Sequence, residues 1–153
     1  MTIDSVKTAL AAVLFFCAAA PALSGECSVD QVTYVQPEAE GFTLSFRPGT
    51  EKKGLSDLEA TLQTPTQEFK FSLTASNGYS FNYLVPEWTD APDDTSFRLF
   101  TFDSAFNSLE MPFGGAPAPE AILTPELGVW LYYSESGVRE YLPPHMWRVK
   151  SCN

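Results

Sequence analysis

The chain has 153 residues, with 9 Lys plus Arg against 19 Asp plus Glu, and a formal net charge of −10 at pH 7. A surface this acidic repels phosphate backbones and anionic lipid headgroups, which argues against nucleic-acid binding and against electrostatic binding to membranes. With 44% hydrophobic and 14% aromatic residues, the chain can bury a core, and its length fits one domain.

Residues 1–24 have the pattern of a secretory signal peptide. Lys7 supplies a positive charge, an uncharged run rich in Ala, Phe and Leu covers residues 10–20, and small residues at positions 22 and 24 favour cleavage after Ser24, with cleavage after Ala22 as the alternative. The apolar run of about 11 residues is too short to cross a bilayer, which takes about 20. We therefore predict an exported protein, periplasmic or extracellular, with no transmembrane segment in the mature chain.

Two cysteines remain in the predicted mature chain of residues 25–153, Cys27 near its start and Cys152 near its end. An even pair of cysteines in an exported chain is typical of a disulfide. Closing a loop of about 120 residues stabilises a protein by roughly 4 to 5 kcal/mol in the chain-entropy description. We therefore predict a bond between Cys27 and Cys152 that joins the two ends of the domain.

Four segments alternate apolar and polar residues with the period of two that is typical of half-buried strands, namely 42–47, 57–63, 68–75 and 79–85. The last three predict a meander with one shared apolar face. A turn at residues 64–67 keeps that face continuous, because it sets apolar residues opposite one another in the pairs Leu62 with Phe69, Ala60 with Phe71 and Leu58 with Leu73.

The connection after the third of these strands decides which side chains reach the core. A two-residue turn at Asn77-Gly78 would leave Phe81 and Tyr83 on the polar face. A three-residue loop at 76–78 places Phe81 opposite Leu73 and has Gly78 at its left-handed position. We predict the three-residue loop because it buries the aromatic rings.

Residues 48–54 contain two glycines and two lysines and are predicted to form a solvated loop. After residue 85 the alternation ends, and residues 86–96 are predicted to be irregular. The apolar residues of 97–102 occur at both parities, which indicates a strand that is covered on both faces.

Residues 111–128 are rich in Pro and Gly, and we predict that no central strand passes through them. Thr124-Pro125-Glu126 can open a short helical turn. Further strands are predicted at 129–134, 138–142 and 146–151, the first two forming a hairpin. Seven to eight short strands without a helix-period run predict an all-β fold, a single antiparallel β-sandwich or barrel-like domain.

Few residues point to catalysis. The chain lacks the Gly-x-Ser-x-Gly motif of serine hydrolases, and His145 is its one histidine. Zinc prefers several His or Cys ligands, and the acidic cluster of Asp90, Asp93 and Asp94 lacks the ordered spacing of a calcium loop. We therefore predict no cofactor and no metal, and favour binding over enzymatic activity.

Binding residues are expected in the irregular segments, since loops on a rigid β scaffold carry most recognition surfaces. The candidates are two aromatic residues, Trp88 and Phe113, and three acidic ones, Asp90, Asp93 and Asp94. The acidic charge favours a basic protein as partner, and an inhibitor or accessory partner of a basic cell-envelope protein fits it. The alternatives are a carbohydrate-binding module, a small glycan-active enzyme using loop aromatics and carboxylates, and a structural envelope protein.

Overall fold

The computed structural model describes residues 27–53, 56–75, 81–88, 95–110, 113–133 and 139–152. The predicted signal peptide, residues 1–24, lies outside the described residues. Within them the fold is all-β, as the alternation predicts, with one short α-helix and a three-residue 3-10 helix at Val29–Gln31. The elements in chain order are β1 (Val32–Val35), β2 (Thr43–Lys53), β3 (Ser56–Gln63), β4 (Glu68–Ala75), β5 (Asn82–Pro86), β6 (Phe97–Phe102), β7 (Ser108–Leu109), β8 (Ala121–Leu123), α1 (Leu127–Tyr133) and β9 (Trp147–Cys152).

Eight of these strands form a closed antiparallel barrel. The order around it is β1, β2, β3, β4, β5, β6, β8 and β9, and β9 pairs again with β1. The two-residue β7 pairs with β6 outside this ring. Closure pairs both edges of every strand of the ring, which is how a β protein avoids an exposed sheet edge.

Neighbouring strands run in opposite directions, so the connections gather at two ends. β1, β3, β5 and β8 lead to one end, called the helix end because α1 follows β8 there. β9 leads to the other, called the disulfide end. There Cys27 and Cys152 form a disulfide with their Cα atoms 5.8 Å apart, as predicted.

Inward-facing side chains fill the barrel, as expected for one of eight strands. The β3–β4 register supplies part of this core in the predicted pairing, Leu62 opposite Phe69 and Ala60 opposite Phe71. The largest side chains with less than 2% of their surface exposed are Trp147, Tyr34, Phe71, Leu44, Leu62, Leu73, Leu84, Leu99, Ile122, Leu127, Leu131 and Val29.

The predicted register of β4 and β5 is wrong. Leu73 lies opposite Leu84, not Phe81, so the side chain of Phe81 is on the outer face and is 42% exposed. On the outer face, Phe100 of β6 covers part of the Phe81 ring, since the two ring centroids lie 6.2 Å apart. Leu73, Leu84 and Leu99 are the buried side chains here. The alternation in 79–85 was therefore assigned to the wrong face.

The predicted solvated loop at 48–54 is also wrong over residues 48–53, which continue β2. Pro48 pairs with Leu58 and Lys53 pairs with Ser56, with an irregularity between the two pairs. In this irregular stretch the Thr50 backbone N–H donates to the Glu59 carboxylate at 3.0 Å. A side chain thus satisfies a backbone donor within the irregular stretch that follows Pro48.

A central strand does pass through the proline-rich stretch, contrary to the prediction. β8 has only three residues, Ala121–Leu123, and fits between Pro119 and Pro125, so neither proline has to donate a ladder hydrogen bond. β8 lies between β6 and β9 in the barrel. β1 and the final strand β9 complete the ring; β9 was predicted within one residue, and β1 was not predicted.

The predicted hairpin of 129–134 and 138–142 is absent from its described residues, where 127–133 form α1 and 139–142 form no strand. Leu127 and Leu131 are one helical turn apart and both are fully buried. The predicted helical opening at Thr124 is confirmed, since the Thr124 carbonyl accepts a hydrogen bond from the Leu127 N–H at 3.4 Å. Burial of an i, i+4 pair selects the helix here over the strand.

Candidate functional site: a tyrosine groove at the helix end

The interior of the barrel is packed with hydrogen-bonded aromatic side chains. The Tyr34 hydroxyl donates to the Pro119 carbonyl at 2.9 Å, and Trp147 Nε1–H donates to Thr124 Oγ1 at 2.9 Å. Burial raises the pKa of Tyr34 well above its usual range, with the nearby Glu120 carboxylate acting in the same direction. These rings and the buried leucines occupy part of the barrel interior.

Five aromatic rings close the helix end of the barrel, those of Phe69, Phe71, Trp88, Phe97 and Trp130. Trp130 of α1 lies with its ring centroid 5.4 Å from Phe69 and 5.3 Å from Trp88, and Trp88 lies 5.4 Å from Phe71. The edge-to-face contacts of Trp130 with Phe69 and of Trp88 with Phe71 add roughly 0.5 to 1.5 kcal/mol each to the burial of the rings. The inner face of α1 is therefore held firmly against the barrel.

The outer face of α1 forms one wall of a surface groove of about 430 Å³. The other wall is the segment 141–144. We call this feature the tyrosine groove; its lining residues are Pro125, Gly128, Val129, Tyr132, Tyr133, Tyr141, Leu142 and Pro144.

The groove walls present large apolar side chains to solvent. Tyr133 and Tyr141 are each 72% exposed, and Val129 is 62% exposed. The Tyr132 and Tyr133 rings lie 5.0 Å apart at an interplanar angle of 75°, which gives the groove two differently oriented aromatic faces. An exposed apolar patch with this concentration of aromatic rings is typical of an interaction site.

The groove depends on a close approach between α1 and the opposite wall. A Cβ atom on Gly128 would overlap the carbonyl oxygen of Leu142, so only glycine allows this spacing. The Arg139 N–H donates to the Leu131 carbonyl at 3.1 Å, which ties the segment to the helix. The geometry of the groove is thus fixed by backbone contacts.

Two energetically unfavourable features, one of the backbone and one of a side chain, occur directly before Tyr141. Arg139 has a φ of 60°, in the left-handed region that most side chains avoid. Both carboxylate oxygens of Glu140 are buried and accept no hydrogen bond from the residues that the structure describes. Such costs are concentrated at functional sites, where binding rather than stability has been selected.

The structure separates the two predicted aromatic binding residues. Trp88 follows β5 at the helix end and is half-buried against its neighbours. Phe113 is 58% exposed, and the backbone N–H of the adjacent Gly114 donates to Asp57 at 3.0 Å, near the start of β3 and so toward the disulfide end. The two rings therefore belong to opposite ends of the barrel.

The predicted acidic cluster of Asp90, Asp93 and Asp94 lies outside the described residues. Among residues 27–53, 56–75, 81–88, 95–110, 113–133 and 139–152, no group of three or more His, Cys, Asp and Glu side chains is placed to hold a metal ion. His145 Nδ1 lies 3.0 Å from a carboxylate oxygen of Glu38, and both side chains are substantially exposed.

The sequence interpretation did not select the exposed tyrosines as binding residues, because it assigned residues 129–134 and 138–142 to strands. Two features of the sequence pointed to the helix. Leu127 and Leu131 have helical spacing, and Thr124 with Pro125 forms a helix-opening pair. With 127–133 taken as a helix, burial of those leucines leaves Val129, Tyr132 and Tyr133 on other faces.

No helix in the described part of the chain is long and apolar enough to span a membrane. In comparisons with known proteins, no family model, no curated protein and no solved structure matches the chain.

Proposed function

We propose that this protein is an exported binding domain that docks a basic partner protein through the tyrosine groove. The groove carries the proposal, because it combines exposed Tyr133, Tyr141 and Val129 in one concave apolar surface. Tyrosines of this kind are typical anchors at protein interfaces, since they bury much surface at a small cost in side-chain entropy.

The charge of the chain supports a basic partner. A net charge of −10 attracts cationic proteins over distances of about 10 Å at moderate ionic strength and raises their association rate. The Cys27–Cys152 disulfide is typical of an oxidising compartment and supports export, together with the predicted signal peptide. A role as inhibitor or accessory subunit of a basic cell-envelope protein combines these features.

A carbohydrate ligand is the main alternative, because tyrosine faces also stack on sugar rings. Sugar hydroxyls need several polar side chains to replace their water. The tyrosine hydroxyls are the only polar side-chain groups among the eight described residues that line the groove. The lining therefore favours an apolar protein side chain over a glycan.

The test begins with capture from the envelope fraction of the producing organism, followed by titration of the purified, identified partner. We expect a basic protein whose affinity falls at least about tenfold between about 50 and 300 mM NaCl. Tyr133→Ala and Tyr141→Ala are each expected to weaken binding about tenfold, as truncation of an interface anchor does.

Phe113→Ala is the matched control, because it removes a similarly exposed ring at the other end of the barrel. It is expected to leave the affinity unchanged. Binding that does not respond to salt would exclude the electrostatic part of the proposal. Loss of binding in Phe113→Ala, with the tyrosine variants unaffected, would move the site to the disulfide end.

A further inference from the structure

The groove walls restrict the backbone conformation of a peptide segment that binds between them. Neither wall is a strand, since one is α1 and the other is the irregular segment 141–144. A bound strand would find no described sheet edge in the groove with which to pair its backbone. Rings dominate the lining instead, three of tyrosine and two of proline.

A polyproline II segment has the matching properties. It forms no internal hydrogen bonds, so its carbonyl groups are free to accept from donors on a partner. The tyrosine hydroxyls are such donors, and aromatic faces pack well against compact pyrrolidine rings. The conformation is already formed in solution, so binding orders few residues.

The dimensions and charge agree with such a ligand. The groove of about 430 Å³ has room for a few consecutive residues of an extended chain and not for a whole helix. The net charge of −10 favours basic residues in the flanking sequence, acting at long range. Beside the groove, the Glu126 carboxylate is paired with the Arg98 guanidinium.

We infer that the tyrosine groove binds a proline-rich segment of the partner in the polyproline II conformation, flanked by basic residues. This inference rests on the proposed function and specifies which part of the partner enters the groove. Proline rings pack against Tyr133 and Tyr141, and tyrosine hydroxyls donate to carbonyl groups of the segment.

The experiment uses two synthetic peptides with arginine at both ends, one with a central run of prolines and one with alanines in their place. Their binding to the full mature protein is measured by calorimetry at low salt. We expect the proline peptide to bind at least about tenfold more tightly than the alanine peptide, because the alanine peptide must lose more conformational entropy and lacks the rings. Tyr141→Phe is expected to weaken the proline peptide about fivefold, the value of one hydrogen bond.

Phe113→Ala again serves as the control and is expected to bind the proline peptide like the wild type. Equal affinities for the two peptides would overturn the inference, whereas the proposed function would stand as long as the identified partner still depends on the tyrosines. A different result would overturn both the inference and the proposed function. In that case neither peptide binds, whereas chitin or glucan oligosaccharides bind and Tyr141→Ala abolishes their binding. Thermal unfolding of each variant shows that it is folded.

Discussion

Single residues form stabilising contacts in this barrel that their positions in the sequence do not predict. Glu59 is an outward-facing strand residue, yet its carboxylate accepts the Thr50 backbone N–H at 3.0 Å and the Arg47 guanidinium at 3.1 Å. These contacts, with the Thr50 hydrogen bond as the largest cause, lower the pKa of Glu59 below its usual value of 4.5. One carboxylate therefore stabilises the irregular part of β2.

A lowered pKa in the folded state makes the contribution of Glu59 dependent on pH. Its stabilisation is complete above the unfolded-state pKa of 4.5 and is lost as the pH falls through the lower folded-state pKa. Glu59→Gln is expected to reduce the free energy of unfolding by about 1 kcal/mol at pH 7 and to have little effect in strong acid.

Urea unfolding of Glu59→Gln and of the wild type at several pH values measures the difference between their free energies of unfolding. Glu68→Gln is the matched control, because Glu68 is an exposed carboxylate whose ion pair with Lys70, at 3.5 Å, is solvated on both sides. A difference between Glu59→Gln and the wild type that stays constant down to strong acid would contradict the assignment.

The helix α1 is the element on which the candidate site depends. Its inner face contributes Trp130 to the aromatic cluster and two buried leucines, whereas its outer face forms one wall of the tyrosine groove. Gly128 sets the distance to the other wall, at the carbonyl group of Leu142. A helix of seven residues is marginal by itself, so tertiary packing maintains it.

Gly128→Ala tests this arrangement. In an isolated helix the change would be stabilising by roughly 1 kcal/mol. Here we expect destabilisation by about 1 to 3 kcal/mol, because the added methyl group forces α1 away from Leu142. The readouts are the unfolding free energy and the affinity for the proline peptide, both of which should fall.

Val129→Ala provides the comparison for stability, since Val129 is the next residue and is exposed on the outer face. It is expected to change the unfolding free energy by less than about 0.5 kcal/mol. An unchanged or increased stability in Gly128→Ala would show that the two walls are free to separate.

At the scale of the whole molecule, the barrel is closed by the pairing of its first and last strands. Pairing of β9 with β1 completes the barrel, and the disulfide joins the chain just before β1 to the end of β9. The bond spans 125 residues of sequence, so it removes a large amount of chain entropy from the unfolded state. It restricts the unfolded chain and also holds the closing pair of strands in place.

The double substitution Cys27→Ser with Cys152→Ser is expected to lower the free energy of unfolding by roughly 4 kcal/mol while leaving a β-rich circular dichroism spectrum. Chemical denaturation followed by circular dichroism measures both. The wild type in reducing buffer should behave like the variant. A loss of strand signal under native conditions would instead show that the barrel cannot close without the bond.

The alternation of side chains was sufficient to predict β3, β4, their register and the all-β class. It failed at β5, because the pattern was compatible with either face of the strand. Phe81 packs on the outer face against Phe100, a contact that the alternation within β5 does not predict. It failed at β8 and in β2 because bulges and short strands let prolines into a sheet. The site was missed for a related reason: burial of Leu127 and Leu131 selects a helix at 127–133, which places Tyr132 and Tyr133 on the wall opposite Tyr141.

The sequence by itself determined the all-β class, the acidic charge and the pairing of its last two cysteines, because these follow from local periodicity and from counting. The tertiary structure alone decided that the strands close into a barrel, that α1 covers one end and that three tyrosines line a groove. Those features depend on which distant residues fill the space beside each element, and neighbouring residues in the chain do not encode that information.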